Sequence, residues 1–259
     1  MTRSANLRKV LITGAGTGFG HEVALRLAEK GFDVIAAVEI YSQVQTLKRQ
    51  AADRGVTLQV EKLDVTHDGD RRKALAWDVE ILVNNAGMGE GGSVVDIPAA
   101  NIRHEWEVNV TGPLLLTQGI AKQMVKRGAG RIVWVSSREG LNVNPFTGIY
   151  SASKHAVEAI AETMKLELQE FGIEVATVNP GPFLTGFNDR MADSMWEWFG
   201  SGSLNAPATP LFEMMRDLVT NGQLDPAEVV TRMVELTEAE TTTENNFVPP
   251  DILAQMGAG

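Results

Sequence analysis

A chain of 259 residues, 44% hydrophobic and 22% charged, has the composition of one globular domain with a large core, which excludes disordered and fibrous classes. Acidic side chains number 33 against 23 basic ones, and the formal charge of -10 leaves no basic stripe to neutralise a nucleic acid or an anionic membrane. Cysteine is absent, so disulfides, thiolate nucleophiles and cysteine-ligated metals are excluded together, and redox work would need a bound cofactor.

Residues 1–10 lack the apolar centre of a signal peptide, and the apolar runs 79–83 and 110–116 are too short to span a bilayer, so a cytoplasmic location is expected. Residues 9–13 read as a buried strand, 14–20 as a turn, and 21–30 as a helix ended by Gly31. Runs rich in Val and Ile at 34–38, 56–63, 81–84, 131–136 and 174–179 read as further strands of the kind covered on both faces. Helical spacing fills 101–127 and 151–171, where Val157, Ile160, Met164 and Leu168 share one side. This alternation predicts an α/β fold, a doubly wound parallel sheet in a single domain over 1–259. The stretch 186–210 breaks the rhythm with Phe187, Met191, Met195, Trp196, Trp198 and Phe199, and it predicts an irregular, mobile cover over an apolar substrate. A packed helix is the alternative for it. The histidines His21, His67, His104 and His155 show no ligand spacing, and no metal is expected.

The first strand runs into Thr13-Gly14-Ala15-Gly16-Thr17-Gly18-Phe19-Gly20 and a helix start. Glycine permits positive φ and close approach of backbone to a diphosphate, and the helix N-terminus offers free N–H groups to the anion. Gly14, Thr17, Gly18, Phe19 and Gly20 are therefore candidate dinucleotide contacts. Glu39, at the end of the second strand, can accept from adenosine ribose hydroxyls and would repel a 2′-phosphate, which favours NAD over NADP. Asn84-Asn85-Ala86-Gly87 closes the fourth strand, where Asn85, Ala86 and Gly87 serve either as cofactor contacts or as ordinary turn residues. The fifth strand ends in Ser137, a donor for a carbonyl oxygen, and thirteen residues later comes Tyr150, with Lys154 four further on. On a helix these two share a face, and an ammonium beside a phenol favours the phenolate that an acid/base needs. Arg138 and Glu139 read as surface or salt-bridge residues.

In this order, residues 13–20, 84–87, Ser137, Tyr150 and Lys154, with Asn179-Pro180-Gly181 and Thr185 downstream, resemble the short-chain dehydrogenase/reductase family over roughly residues 10–185. The resemblance implies a Rossmann-type fold with seven parallel strands, metal-free hydride transfer at nicotinamide C4, and assembly as a homodimer or homotetramer. It implies a catalytic set of Asn109, Ser137, Tyr150 and Lys154, an adenine contact at Asp64 and Val65, and a nicotinamide contact along Pro180, Gly181, Phe183 and Thr185. Tyr150 and Lys154 would also touch the cofactor. The sequence departs from the family pattern in three places. The NAD-type acid commonly stands where this chain has Val38, residues 66–77 look short for a helix, and 244–259 reads as a tail rather than a final strand. The expected activity is that of an NAD-dependent alcohol dehydrogenase or ketone reductase on an apolar or aromatic small molecule. The alternatives are an NADPH-dependent carbonyl reductase, a non-catalytic dinucleotide sensor, and a methyltransferase, which would leave Ser137, Tyr150 and Lys154 together unexplained.

Overall fold

The computed structural model describes residues 8–239, 241 and 246–250, apart from the side chains at 215, 218 and 219. The expectations for residues 1–7 and for 244, 245 and 251–259 lie outside the described residues. In chain order the elements are β1 (Lys9–Ile12), α1 (Gly18–Glu29), β2 (Asp33–Val38), α2 (Tyr41–Asp53), β3 (Gln59–Lys62), α3 (Asp68–Ala74), β4 (Ile81–Asn84) and α4 (Ala99–Trp106). They continue as α5 (Gly112–Arg127), β5 (Gly130–Val135), α6 (Gly148–Leu168), β6 (Ile173–Pro180), α7 (Phe187–Ser194), α8 (Thr209–Asn221), α9 (Ala227–Glu238) and β7 (Phe247–Val248).

The strands form one parallel sheet in the order β3-β2-β1-β4-β5-β6-β7, so the order reverses between β1 and β4. Successive strand residues feed opposite cores, as parallel strands covered on both faces require. Val10 and Ile12 pack with Val23, Ala24 and Leu27 of α1 and with Val229, Val230 and Met233 of α9. Leu11 and Leu82 turn the other way, toward Leu116 and Ile120 of α5 and Val157 and Ala161 of α6. The doubly wound sheet expected from the strand spacing is therefore present, as a single domain. No described helix is long and apolar enough to cross a membrane.

Several boundaries differ from the sequence reading for local reasons. Helix α1 begins at Gly18 rather than at His21, so Gly18, Phe19 and Gly20 are its first turn and their N–H groups are the free ones. The helix expected over 101–127 is broken by a wide π turn at Glu107–Thr111, and that over 151–171 starts earlier, at Gly148. Residues 66–77 do hold a helix, α3, followed by a 3₁₀ turn at Leu75–Trp77. The final tail is a correction as well: Phe247 and Val248 pair with Asn179 and Pro180 as a seventh strand. Asn246 secures it by donating from Nδ2 to the Thr177 carbonyl at 2.8 Å. The irregular stretch after β6 contains α7 and a 3₁₀ turn at Met195–Glu197, with Met191 and Met195 buried.

Candidate active site

The reversal of strand order opens a crevice at the carboxyl ends of the strands, where ligands bind in such sheets. A cavity of about 500 Å³ lies there, bounded by the glycine turn, Glu39, Asp64, Val65, the 85–88 segment, Ser137, Tyr150, Lys154, the 180–185 segment and α7. Every candidate site residue lines it except Gly20 and Asn109.

At one end Gly14 has φ +65, and a Cβ on it would lie 2.7 Å from the Ala86 Cα, so only glycine fits. Thr13 ties the ends of β1 and β4 together: its hydroxyl accepts from the Asn85 and Ala86 N–H groups, each at 3.1 Å. The Asn85 side chain donates to the Thr13 and Gly14 carbonyls at 2.9 and 3.1 Å, so it builds the turn. Gly20 does not reach the cavity. A Cβ there would stand 2.3 Å from Asn85 Nδ2, so this glycine lets α1 approach the turn. Glu39 is exposed at the cavity rim. Asp64 accepts from the Thr66 N–H and hydroxyl at 2.9 and 2.7 Å, which stiffens the loop after β3. A backbone that tolerates no Cβ, a helix start with free N–H groups and an open carboxylate at the rim together fit a dinucleotide.

At the other end Ser137, Tyr150 and Lys154 are all buried. Ser137 caps a short 3₁₀ turn, its Oγ accepting from the Glu139 N–H at 3.1 Å, and it lines the cavity beside Tyr150. Burial holds the Tyr150 phenol above its ordinary range; the nearby Ser137 hydroxyl opposes this, while the carboxyls of Glu139 and Glu105 add to it. Lys154 Nζ donates to the Val135 carbonyl at 3.0 Å and stands 5.7 Å from the centre of the Tyr150 ring. Burial lowers Lys154 to about 8, against the pull of Glu105 and Glu158. The expected tuning of the phenol by the ammonium is thus not what sets it in the free protein, where burial dominates.

Asn109 sits in the π turn behind the cavity. Its Oδ1 accepts from the Met88 N–H at 2.9 Å, and its Nδ2 donates to the Met88 carbonyl at 2.8 Å and to Ser153 Oγ at 3.0 Å. It therefore fixes the 87–88 backbone against α6. Glu139 is 6% exposed, not a surface residue. Its carboxylate accepts from Asn144 Nδ2 at 2.7 Å, the Ser151 hydroxyl at 2.8 Å and the Thr147 hydroxyl at 3.1 Å, and it pairs with Arg138 at 3.5 Å. It locks the loop between Ser137 and α6. Sequence reasoning missed Glu105 and Glu158, and it named Asn179 only as part of the motif after β6, without a role. Asn179 Nδ2 donates to Glu158 Oε1 at 2.5 Å and to the Ser137 carbonyl at 3.3 Å, bracing the serine from β6. Phe187 of α7 faces Tyr150, with ring centres 5.5 Å apart.

The sequence pattern of the short chain dehydrogenase family matches residues 8–196. Retinol dehydrogenase 8 of Homo sapiens is 35% identical over 191 residues, covering 71% of this chain; the chain spans only 61% of that protein's length. A short-chain dehydrogenase/reductase from Burkholderia phymatum, solved in complex with NAD, superposes with a TM-score of 0.82 at 26% identity, covering 97% of this chain and 92% of that one. A short-chain dehydrogenase from Sphingobium yanoikuyae, solved with NADPH, gives 0.77 at 26% identity with the same coverage. The chain belongs to the short-chain dehydrogenase family and is an NAD(P)-binding oxidoreductase.

Proposed function

We propose that the protein moves a hydride between NAD(H) and a secondary alcohol or ketone of apolar, ring-bearing character, with Tyr150 as the acid/base. The observation that carries this reading is that Ser137, Tyr150 and Lys154 share one wall of the same cavity that ends in the glycine turn. Bound dinucleotide supplies or accepts the hydride at nicotinamide C4. Gly14, Thr17, Gly18 and Phe19 would hold its diphosphate, Glu39 its adenosine ribose, Asp64 and Val65 its adenine, and Ala86, Gly87 and Lys154 its second ribose. Pro180, Gly181, Phe183 and Thr185 would border the nicotinamide. Tyr150 exchanges a proton with the substrate oxygen, and Ser137 donates to that oxygen as negative charge gathers on it. Asn109 positions the 87–88 backbone and Ser153. Turnover of a ketone panel, from small aliphatic to aryl and steroidal, scored by NADH absorbance and repeated with the Ser137→Ala variant, tests the assignment.

NAD is preferred because the exposed carboxylate of Glu39 lines the cavity at the expected ribose position, where it repels a 2′-phosphate. Glu39→Arg should weaken NAD at least tenfold and tighten NADP, as a carboxylate becomes a phosphate partner. Wild-type protein that prefers NADPH in direct competition overturns the choice.

The apolar substrate class rests on Phe187 and Met191, which α7 lays against the cavity, and on a relative named for retinol, an apolar ring-bearing alcohol. A small polyol closed in beside these side chains would leave hydroxyls unpaired. The cover is pinned at its far end, where Asp96 accepts from the Leu204 and Asn205 N–H groups at 2.9 and 3.1 Å. In its middle Ser194 Oγ accepts from the Gly91 N–H at 3.0 Å, so opening would break that contact and turn at Gly186, at φ +72, and at Gly200 and Gly202, whose surroundings are open. Limited proteolysis in 196–203 should slow at least several-fold when NADH and an aryl ketone are both present. Equal rates with and without them favour a fixed packed helix. Two copies would pair through α5 and α6, where Leu115 and Leu166 are 44% and 63% exposed.

A further inference from the structure

Helix α7 carries Phe187, Arg190 and Met191 at steps of three and four, so they share one face, and all three line the cavity. Phe187 and Met191 make that face apolar toward the substrate end. Arg190 gives it a charge. The guanidinium turns back toward the start of its helix, since a Cβ on Gly186 would lie 3.1 Å from Arg190 Nη1. Thr185, the residue before, abuts the glycine turn: a Cβ on Gly18 would lie 3.5 Å from Thr185 Cβ. Two contacts, Gly18 to Thr185 and Gly186 to Arg190, therefore lead from the glycine turn to the guanidinium across one peptide bond. Three lysine or arginine side chains line the cavity, and the other two are engaged: Lys154 Nζ donates to the Val135 carbonyl at 3.0 Å, and Arg138 pairs with Glu139 at 3.5 Å. Arg190 is exposed, and among the described residues its guanidinium has no ion-pair or hydrogen-bond partner. The carboxylate next to it in the chain, Asp189, accepts from Gln223 Nε2 at 3.2 Å instead.

We propose that Arg190 binds the diphosphate of the dinucleotide from α7 and thereby seats Phe187 and Met191 as the wall of the substrate pocket. This rests on the assignment of the glycine turn to the diphosphate. A diphosphate brings negative charge into a chain whose formal charge is -10, in a cavity that Glu39 also lines, and the glycine turn meets it with uncharged groups. A guanidinium supplies what the turn lacks, being permanently charged, with paired N–H donors matched to phosphate oxygens. The anchoring of α7 leaves this task open. Its last turn is tied down where Ser194 Oγ accepts from the Gly91 N–H at 3.0 Å. Its first turn is joined to Thr185 and Gly186 by bonds of 3.4 and 3.3 Å, long for N–H donors. Engaging Arg190 fixes that first turn, so cofactor should bind before substrate and prepare the pocket for it.

The test titrates wild type, Arg190→Met, Arg190→Lys and Arg49→Met with NADH by fluorescence, with ADP-ribose by calorimetry and with adenosine by NMR. Arg49 is exposed on α2 and does not line the cavity, so its variant controls for net charge. Arg190→Met should weaken NADH and ADP-ribose about tenfold or more and adenosine by less than about twofold. Arg190→Lys should fall between, and Arg49→Met should match wild type. Added salt should weaken NADH binding less steeply in Arg190→Met than in wild type, because one exposed ion contact is gone. Saturating NADH alone should slow proteolysis within 196–203 in wild type and leave it unchanged in Arg190→Met. Equal NADH affinity in wild type and Arg190→Met overturns the proposal, and so does a loss that extends equally to adenosine. Equal slowing of proteolysis in both proteins overturns the seating of α7. Normal NADH affinity with a raised KM confined to a carboxylate-bearing ketone would give Arg190 to the substrate instead. Wild type that binds neither NADH, NADPH nor ADP-ribose would remove the assignment of the glycine turn itself, whereas the other failures leave that assignment standing.

Discussion

Tyr150→Phe should lower turnover by about two decades or more while NADH still binds, the usual size of general acid–base catalysis. The substitution deletes one hydroxyl from a ring that is 7% exposed and packs against Phe187, so helix α6 and the cavity wall should stand. The cost to folding should be no more than that of one hydrogen bond, about 1 kcal/mol, and Ser137 keeps the Glu139 N–H as its partner. Steady-state rates beside NADH fluorescence titration check both halves. Turnover within threefold of wild type would place the proton transfer elsewhere.

Lys154→Met should abolish turnover to a similar degree, and unlike the tyrosine variant it should also weaken NADH at least tenfold, since the ammonium is assigned to a ribose. Its effect on stability runs the other way. Burial depresses the lysine from 10.5 to about 8, so its contribution is present above the unfolded value and is lost as pH falls through the folded one. At pH 7 the wild type therefore carries the cost of a buried charge that methionine does not, and the variant should melt higher by a margin equivalent to about 1–3 kcal/mol. That advantage should fade as pH rises from about 8 to 10.5. Unchanged NADH affinity would remove the ribose role. A variant that melts lower at pH 7 would mean that the bond to the Val135 carbonyl outweighs the burial cost.

Those side chains were legible in the sequence because each stands at an element end that the pattern itself marks. Residues 81–84 read correctly as a strand since an apolar run meets two asparagines, and Ser137 and Tyr150 bracket a loop rich in Asn and Pro. Glu105 was not legible. In Arg103-His104-Glu105-Trp106-Glu107 it has the look of a solvated helix face, and only the step of four back from Asn109 hinted that it points inward. Glu139 was hidden in the same way: a charge two residues past the serine reads as surface until Asn144, Thr147 and Ser151 are seen to converge on it. Strand β7 is two residues long, below what periodicity can announce. Helix α9 was readable from Val229, Val230, Met233 and Val234, yet it lies beyond the motif-bearing span that drew attention.

The π turn at Glu107–Thr111 has a consequence for how this chain can vary. A helical residue advances the chain by about 100° of rotation, so the widened turn holds one residue more than a regular helix would. Before it, Glu105 faces the site; after it, Leu116 and Ile120 face the core. Deleting any single residue in 107–111 would let the helix run straight, and the core contacts of α5 would anchor the half that follows. The half before it would keep its facing, because the residue removed is the turn's extra one, but Asn109 inside the turn would lose its place against Met88 and Ser153. A change in the length of this segment therefore acts on the site rather than on the fold: the protein would keep its sheet and core and lose the alignment of Asn109 in one genetic step.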